Sequence, residues 1–414
     1  MIKIHMFLAG YGDSLLVQVE KKENTTVNLM IDCGLFYKNN ILPNLKRLLK
    51  DQTVNRFIIT HYDKDHIQSA SKFLEDNGKY KDGSIAKIEQ VWLNTFRHLQ
   101  FSKRNTEELS SEEVTKVKSY ISETSFESNT EIIEGDIGAK QATTLGAKIL
   151  EKKYPWNIDS KGEAICIENL QEVNITEDVR LYLLSPNKKS LQNLESEFLS
   201  KLSEMGLNPN TEAIFDDAFE LFNLNMKEKE KEKVKEKVND GNISSSCIPE
   251  INSKSIKILS KGKGYEKDTS FGNGSSISFI LETEDKKILF LADAFAEDVI
   301  DELKKRYPDS SEYPIFFDAI KTSHHGSFKN NSPELFKIID SDFFLFSTNG
   351  NHPCGHKHPD VETISCIINR LLPKKILKRN LIFNYELDHL KNFNNEELKK
   401  EFKYEIKAQI ETKI

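Results

Sequence analysis

Histidine and aspartate gather where metal chemistry would need them. The 414-residue chain has ten histidines, and seven of them fall in three short stretches: His61 and His66; His324 and His325; and His352, His356 and His358. The first stretch reads Thr60-His61-Tyr62-Asp63-Lys64-Asp65-His66 and directly follows an apolar run, Phe57-Ile58-Ile59. In an extended turn alternate side chains point the same way. His61 and Asp63 can therefore grip one cation while Asp65 and His66 grip a second. Packing these charges against an apolar strand is costly unless a cation compensates. Two cations also need a shared ligand. Asp293 closes the apolar run Ile288-Leu289-Phe290-Leu291, where a carboxylate can bridge ions roughly 3.5–4 Å apart. Ser323-His324-His325-Gly326-Ser327 leaves the end of another apolar run. One of its histidines would complete the site, and the other would contact substrate or orient a ligand. The working assignment is His324 as ligand and His325 at the substrate. Three carboxylates among the ligands suit Mn²⁺ as well as Zn²⁺, so two divalent cations of either kind are expected. Such a pair implies hydrolysis by an activated water, with Asp65 beside the nucleophile.

These residues need strand ends to hold them. Short apolar runs predict strands at 3–9, 14–20, 27–32, 56–60, 91–94, 179–185, 275–282, 287–291, 319–322, 343–346 and 381–383. Helical spacing predicts helices over 41–50, 67–76, 102–118, 141–150 and 361–372. Strand, polar loop, helix is the order that presents side chains at a sheet edge. The stretch 187–268 looks inserted. It carries Leu191, Leu194, Phe198 and Leu202 at helical spacing, then a Lys-Glu alternation over 227–237, then a linker around 241–246. The alternation reads as a solvated helix or flexible arm, or as a helix for a protein partner. The resulting division is 1–186, the insertion 187–268, 269–385, and a charged, helical tail 386–414.

Composition excludes several classes. Lys plus Arg number 58 against 65 Asp plus Glu, a net charge of -7, so bulk charge does not mark a basic nucleic-acid binder. A local basic patch, or metal neutralising a phosphate, leaves that substrate open. Nothing approaches the roughly 20 apolar residues of a membrane helix, and the first residues are too briefly apolar for a signal peptide. Five cysteines without a CxxC spacing suit a reducing cytoplasm.

The segments together resemble the metallo-β-lactamase superfamily, and within it the branch of domains related to the ComEC/Rec2 DNA-uptake proteins. His61-x-Asp63-x-Asp65-His66 matches the branch's variant of HxHxDH, with Asp in place of the second His. The opening Phe7-Leu8-Ala9-Gly10-Tyr11-Gly12-Asp13-Ser14, then Ile31-Asp32-x-Gly34, Asn273-x-x-Ser276, His324-His325-Gly326-Ser327 and Gly355-His356-x-His358-Pro359 follow in the family's order. The resemblance covers about 1–186 and 268–385. It implies an αββα sandwich of two mixed sheets with helices outside. It also implies a metal-dependent phosphodiesterase acting on nucleic acid as a nuclease, the alternative being hydrolysis of a small phosphodiester or ester such as a cyclic nucleotide or phosphocholine group. His356 or His358 would protonate the leaving group or bind phosphate, and Asp32 would orient a ligand. His98, the only histidine between the first motif and Asp293, would be a ligand or a plain surface histidine, the latter favoured; His352 reads as a loop residue. Ala292 stands where many relatives have Gly. A β-lactamase in the drug-resistance sense does not fit, and a non-catalytic scaffold acting through the insertion is the remaining alternative.

Overall fold

The computed structural model describes residues 1–21, 25–50, 52–99, 108–127, 144–210, 212–239, 250–352 and 355–414, with side chains omitted at 125–127 and 227–239. The chain is mixed α/β. One six-stranded sheet runs, edge to edge, Glu411–Lys413, Ile2–Met6, Leu15–Glu20, Thr26–Ile31, Arg56–Ile58, Val91–Trp92. An eight-stranded sheet runs Tyr404–Ala408, Arg379–Phe383, Ile339–Phe346, Ile315–Lys321, Lys287–Phe290, Ser278–Glu282, Val179–Ser185, Glu172–Thr176. Both sheets change character across their width. Neighbours joined by short loops pair antiparallel, such as Ile2–Met6 with Leu15–Glu20 and Ser278–Glu282 with Lys287–Phe290. Neighbours joined through a helix pair parallel, such as Lys287–Phe290 with Ile315–Lys321 across the helix Ala296–Arg306.

Period-two alternation divides the side chains between faces. Leu15, Val17 and Val19 join a buried cluster with Leu181, Phe279, Leu281, Ile288, Leu345 and Ile382 of the other sheet. Leu16 and Met30 face the opposite way, into a cluster with the helices Leu42–Leu48, Ala70–Asn77 and Lys188–Glu204. Ile280, Leu289 and Phe344 likewise meet the helices Ala296–Arg306 and Val361–Ile368. Burial on both faces explains why these strands read as continuous apolar runs.

One expectation needs correction. The tail is not simply helical. After the helix Glu396–Phe402 it forms the strands Tyr404–Ala408 and Glu411–Lys413, which add an edge to each sheet; Lys3 aligns with Lys413. Its charged composition hid strands whose pairing partners lie far away in sequence. The middle segment packs into the core. Leu191, Phe198, Phe215 and Phe219 share the cluster of the first half, and Ile256 shares that of the second. The Lys-Glu alternation falls within the helix Ala213–Asn239; the linker at 241–246 and residues 102–107 and 141–143 lie outside the described residues.

Carboxylates of that helix cap the first half. Asp216 accepts from Thr95 Oγ1 at 2.7 Å and Arg97 N at 2.8 Å. Glu220 accepts from Leu145 N at 2.8 Å and Gly146 N at 3.2 Å, the start of the helix Leu145–Glu151. Burial pushes the Glu220 carboxyl up to about 8. An acid raised in the folded state contributes its stability in full below its unfolded value, near 4.5, and loses it as pH rises through about 8. Glu220→Gln keeps one of the two acceptor oxygens and no charge, so we expect its melting temperature relative to the parent's to rise by at least about 2 °C between about pH 5 and about pH 8. Parallel melting curves across that range would sink the assignment.

Candidate metal centre

Four strand ends of the two sheets deliver the expected residues to one place. The strand Arg56–Ile58 leads into His61, and Asp63 precedes the single helical turn Lys64–Ile67 that carries Asp65 and His66. The strand Thr26–Ile31 ends at Asp32, Lys287–Phe290 leads to Asp293, and Ile315–Lys321 leads to His324 and His325.

The backbone is strained where these side chains diverge. Asp32, Ala292, His324 and His325 all have left-handed φ, at 57°, 45°, 44° and 53°. Each such non-glycine residue costs on the order of 1–3 kcal/mol, which the surrounding packing must offset. Position 292 thus favours glycine, and alanine occupies it at a penalty. Gly12 and Gly34 serve differently: a Cβ on either would collide with the backbone carbonyl of Asp65. Asp13 N donates to that same carbonyl at 3.1 Å. The two glycine phrases of the sequence therefore clamp the loop that carries Asp65.

The side chains form two groups around Asp293. His61 Nε2 lies 3.6 Å from Asp293 Oδ2 and 3.5 Å from Asp63 Oδ2, and His324 Nε2 lies 3.7 Å from Asp293 Oδ2. His66 Nε2 lies 3.5 Å from Asp293 Oδ1 and 3.8 Å from Asp65 Oδ2, and His325 Nε2 lies 3.1 Å from Asp65 Oδ2. Donors bound at 2.0–2.2 Å around a tetrahedral ion sit about 3.3–3.6 Å apart, so these spacings suit shared cations. His61, His66 and Asp293 offer ligand atoms that all lie within 4.8 Å of one another. His61 Nε2, His66 Nε2 and Asp293 Oδ1 are buried and have no hydrogen-bond partner among the described residues. Orphaned buried polar atoms facing one another are what a cation would satisfy.

The opposite ring nitrogens are all engaged. His61 Nδ1 meets Thr60 Oγ1 at 3.0 Å, His66 Nδ1 meets Asp32 Oδ2 at 2.7 Å, His324 Nδ1 meets Asn330 Oδ1 at 2.8 Å, and His325 Nδ1 meets the Ser347 carbonyl at 2.7 Å. Acceptors at Nδ1 select the tautomer that leaves Nε2 as a free lone pair, the form a metal requires. Electrostatics point the same way. Burial disfavours an imidazolium at His66, but Asp293, Asp32 and Asp65 outweigh it and raise its pKa well above the ordinary value. Burial likewise opposes the His325 cation, yet Asp13 and Asp65 push it up to about 10. Burial works against the Asp293 anion, while His324, His66 and His61 hold it well below the carboxylate range. The cluster carries excess negative charge that only protons or a cation can neutralise.

His324 and His325 divide differently from the working assignment. His325 stands with Asp65 and His66, while His324 stands with His61 on the far oxygen of Asp293. His358 has its ring 5.3 Å from that of His324, and the exposed His356 stacks on it at 6.1 Å. His352 meets Tyr11 edge-on at 5.0 Å. His98 is neither ligand nor surface residue. It is buried, accepts from Thr95 N at 3.1 Å, and packs edge-on against Trp156. Burial pushes it down to about 3, which keeps it a neutral acceptor.

Sequence reasoning passed over Lys321. Its Nζ lies 2.7 Å from Asp13 Oδ2 with both side chains buried, and Asp13 Oδ1 lies 3.4 Å from His325 Nδ1. A lysine directly after Ala319-Ile320, at the end of the strand Ile315–Lys321, was the available signal, since lysine is rarely buried unless paired.

No protein-family model matches this sequence, and no curated protein matches it. No helix among the described residues is long and apolar enough to cross a membrane.

Proposed function

We propose that this chain is a dinuclear, metal-dependent phosphodiesterase acting on nucleic acid, built as an αββα sandwich of the metallo-β-lactamase kind. The observation that carries the proposal is the inward convergence of four imidazole Nε2 atoms on Asp63, Asp65 and Asp293, with each Nδ1 already engaged. The shared cluster between the two sheets, with helices on each outer face, supports the sandwich.

His61, Asp63 and His324 would hold one divalent cation, Asp65, His66 and His325 the other, and Asp293 both. Such a pair, Zn²⁺ or Mn²⁺, supplies an acidified water and stabilises charge on phosphoryl oxygens. Around it the chain's own groups orient and exclude. Asp32 aims His66 and Asn330 aims His324. His358, beside His324 and next to Asp360 at 3.6 Å, is placed to pass a proton to the leaving oxygen.

The test is metal analysis of purified protein with a cleavage screen on single-stranded DNA, double-stranded DNA, RNA and bis-p-nitrophenyl phosphate. We expect bound divalent metal and metal-dependent cleavage of a polynucleotide. Cleavage of the small diester alone would move the substrate to a small phosphodiester. No cleavage with Zn²⁺, Mn²⁺ or Mg²⁺ would leave a partner-binding scaffold as the better account.

A further inference from the structure

The two halves of the centre are backed by different chemistry. Behind the Asp65 half stand buried carboxylates. Asp32 Oδ2 faces His66 Nδ1 at 2.7 Å, and Thr60 donates to Asp32 through N at 2.7 Å and through Oγ1 at 2.8 Å. Asp13 Oδ1 lies 3.4 Å from His325 Nδ1, beside the Ser347 carbonyl, and Lys321 locks its other oxygen at 2.7 Å. Behind the other half stand neutral groups. His61 Nδ1 meets the Thr60 hydroxyl, and His324 Nδ1 meets Asn330 Oδ1 at 2.8 Å with Asn273 Nδ2 at 3.3 Å. The nearest carboxylate to that face of His324, Asp268, stands off at 3.9 Å and accepts from the amides of Asn273 and Asn330. Access differs in the same sense: the His324 side chain is 27% exposed and that of His325 3%.

We infer that the two cation positions are unequal: the Asp65, His66 and His325 position binds tightly and stays filled, while the His61, Asp63 and His324 position exchanges with free metal. The inference rests on the reading of this cluster as a two-cation centre. A carboxylate behind a ligating imidazole raises its basicity and fixes its ring, and loss of such a partner costs 10–100-fold in metal affinity. Charge-assisted hydrogen bonds are also roughly twice as strong as neutral ones. With His66 hydrogen-bonded to a carboxylate and His325 within 3.4 Å of a second, against 3.9 Å for the carboxylate behind His324, the dissociation constants should differ by at least about tenfold. Asp13 and Lys321 are then positioning residues for the tight site.

The experiment is a calorimetric titration of chelator-stripped full-length protein with Zn²⁺ and with Mn²⁺. We expect two steps of one ion each, separated at least about tenfold. Asp13→Asn should weaken the tight step about 10–100-fold and spare the other. Lys321→Met should do the same in lesser degree, and Lys321→Arg, which keeps the charge on Asp13, should restore it. Asn330→Ala should weaken only the second step. Melting of the stripped proteins checks that each variant is folded, and a step that shifts selectively in a folded variant is not a general loss of structure. Two equal steps in the parent, or the same step moved by Asp13→Asn and Asn330→Ala, overturns the inequality while leaving a two-metal site. A parent that binds no ion overturns the metal reading itself.

Discussion

Replacing Asp65 by alanine should lower phosphodiesterase turnover at least about a hundredfold, the size of effect seen when one key transition-state interaction is lost. Asp65 Oδ2 stands 3.1 Å from His325 Nε2 and 3.8 Å from His66 Nε2, so its carboxylate belongs to the tighter half of the centre. The loop itself is held by backbone. Gly12 and Gly34 close on the Asp65 carbonyl, Asp13 N donates to it, and His66 O accepts from Cys33 N at 2.8 Å. Alanine at 65 leaves all of these in place. The metal-free proteins should therefore melt within about 2 °C of each other, a difference of order 1 kcal/mol. Withholding metal matters, because bound ligand stabilises the folded state by mass action and would confound the comparison. Near-full activity of Asp65→Ala on every substrate the parent cleaves would refute the site.

The largest effect on stability should come from Arg379. Its guanidinium is fully buried and meets Asp340 twice, Nη2 to Oδ2 at 2.6 Å and Nε to Oδ1 at 3.0 Å. It also donates to the carbonyls of Arg370 and Leu371. Removing one partner of a buried pair leaves an uncompensated charge and costs about 3–5 kcal/mol. Arg370 remains 2.9 Å from Asp340, so Arg379→Met should fall near the low end of that range. Arg370→Met should cost less, because its side chain is partly exposed and Arg379 keeps both Asp340 oxygens occupied. Denaturant melts in the metal-free state read both. Asp340 lies near the start of the strand Ile339–Phe346 and Ser347 directly after its end, about 23 Å apart at strand rise. Arg379→Met should therefore keep the parent's metal stoichiometry. An equal cost for the two substitutions would show that the pair does not carry the energy assigned to it.

The sequence by itself determined the ingredients of the centre. His61, Asp63, Asp65 and His66 were legible because four side chains able to ligate a cation sit within six residues, directly after an apolar strand. Asp293 and the His324-His325 pair were legible for the same reason, each closing a run of buried residues. Period two and period 3.6 are local properties, so most strands and helices could be placed to within a few residues. What local pattern cannot hold is the meeting of distant parts. The strand Glu411–Lys413 became a strand only by pairing with Ile2–Met6, and its lysine and glutamate content otherwise mimics a helix. The insertion's Phe215 and Phe219 found their core across the chain, where Phe219 meets Tyr62, between His61 and Asp63, edge-on at 5.7 Å. Adjacent residues His324 and His325 look equivalent in sequence. Consecutive left-handed backbone conformations turn His324 to Asp293 and His325 to Asp65, and only the packed structure sets those angles. The Asp13–Lys321 pair is likewise tertiary: an ion pair across more than three hundred residues leaves no periodic trace, and its partners are specified only when the two sheets come together.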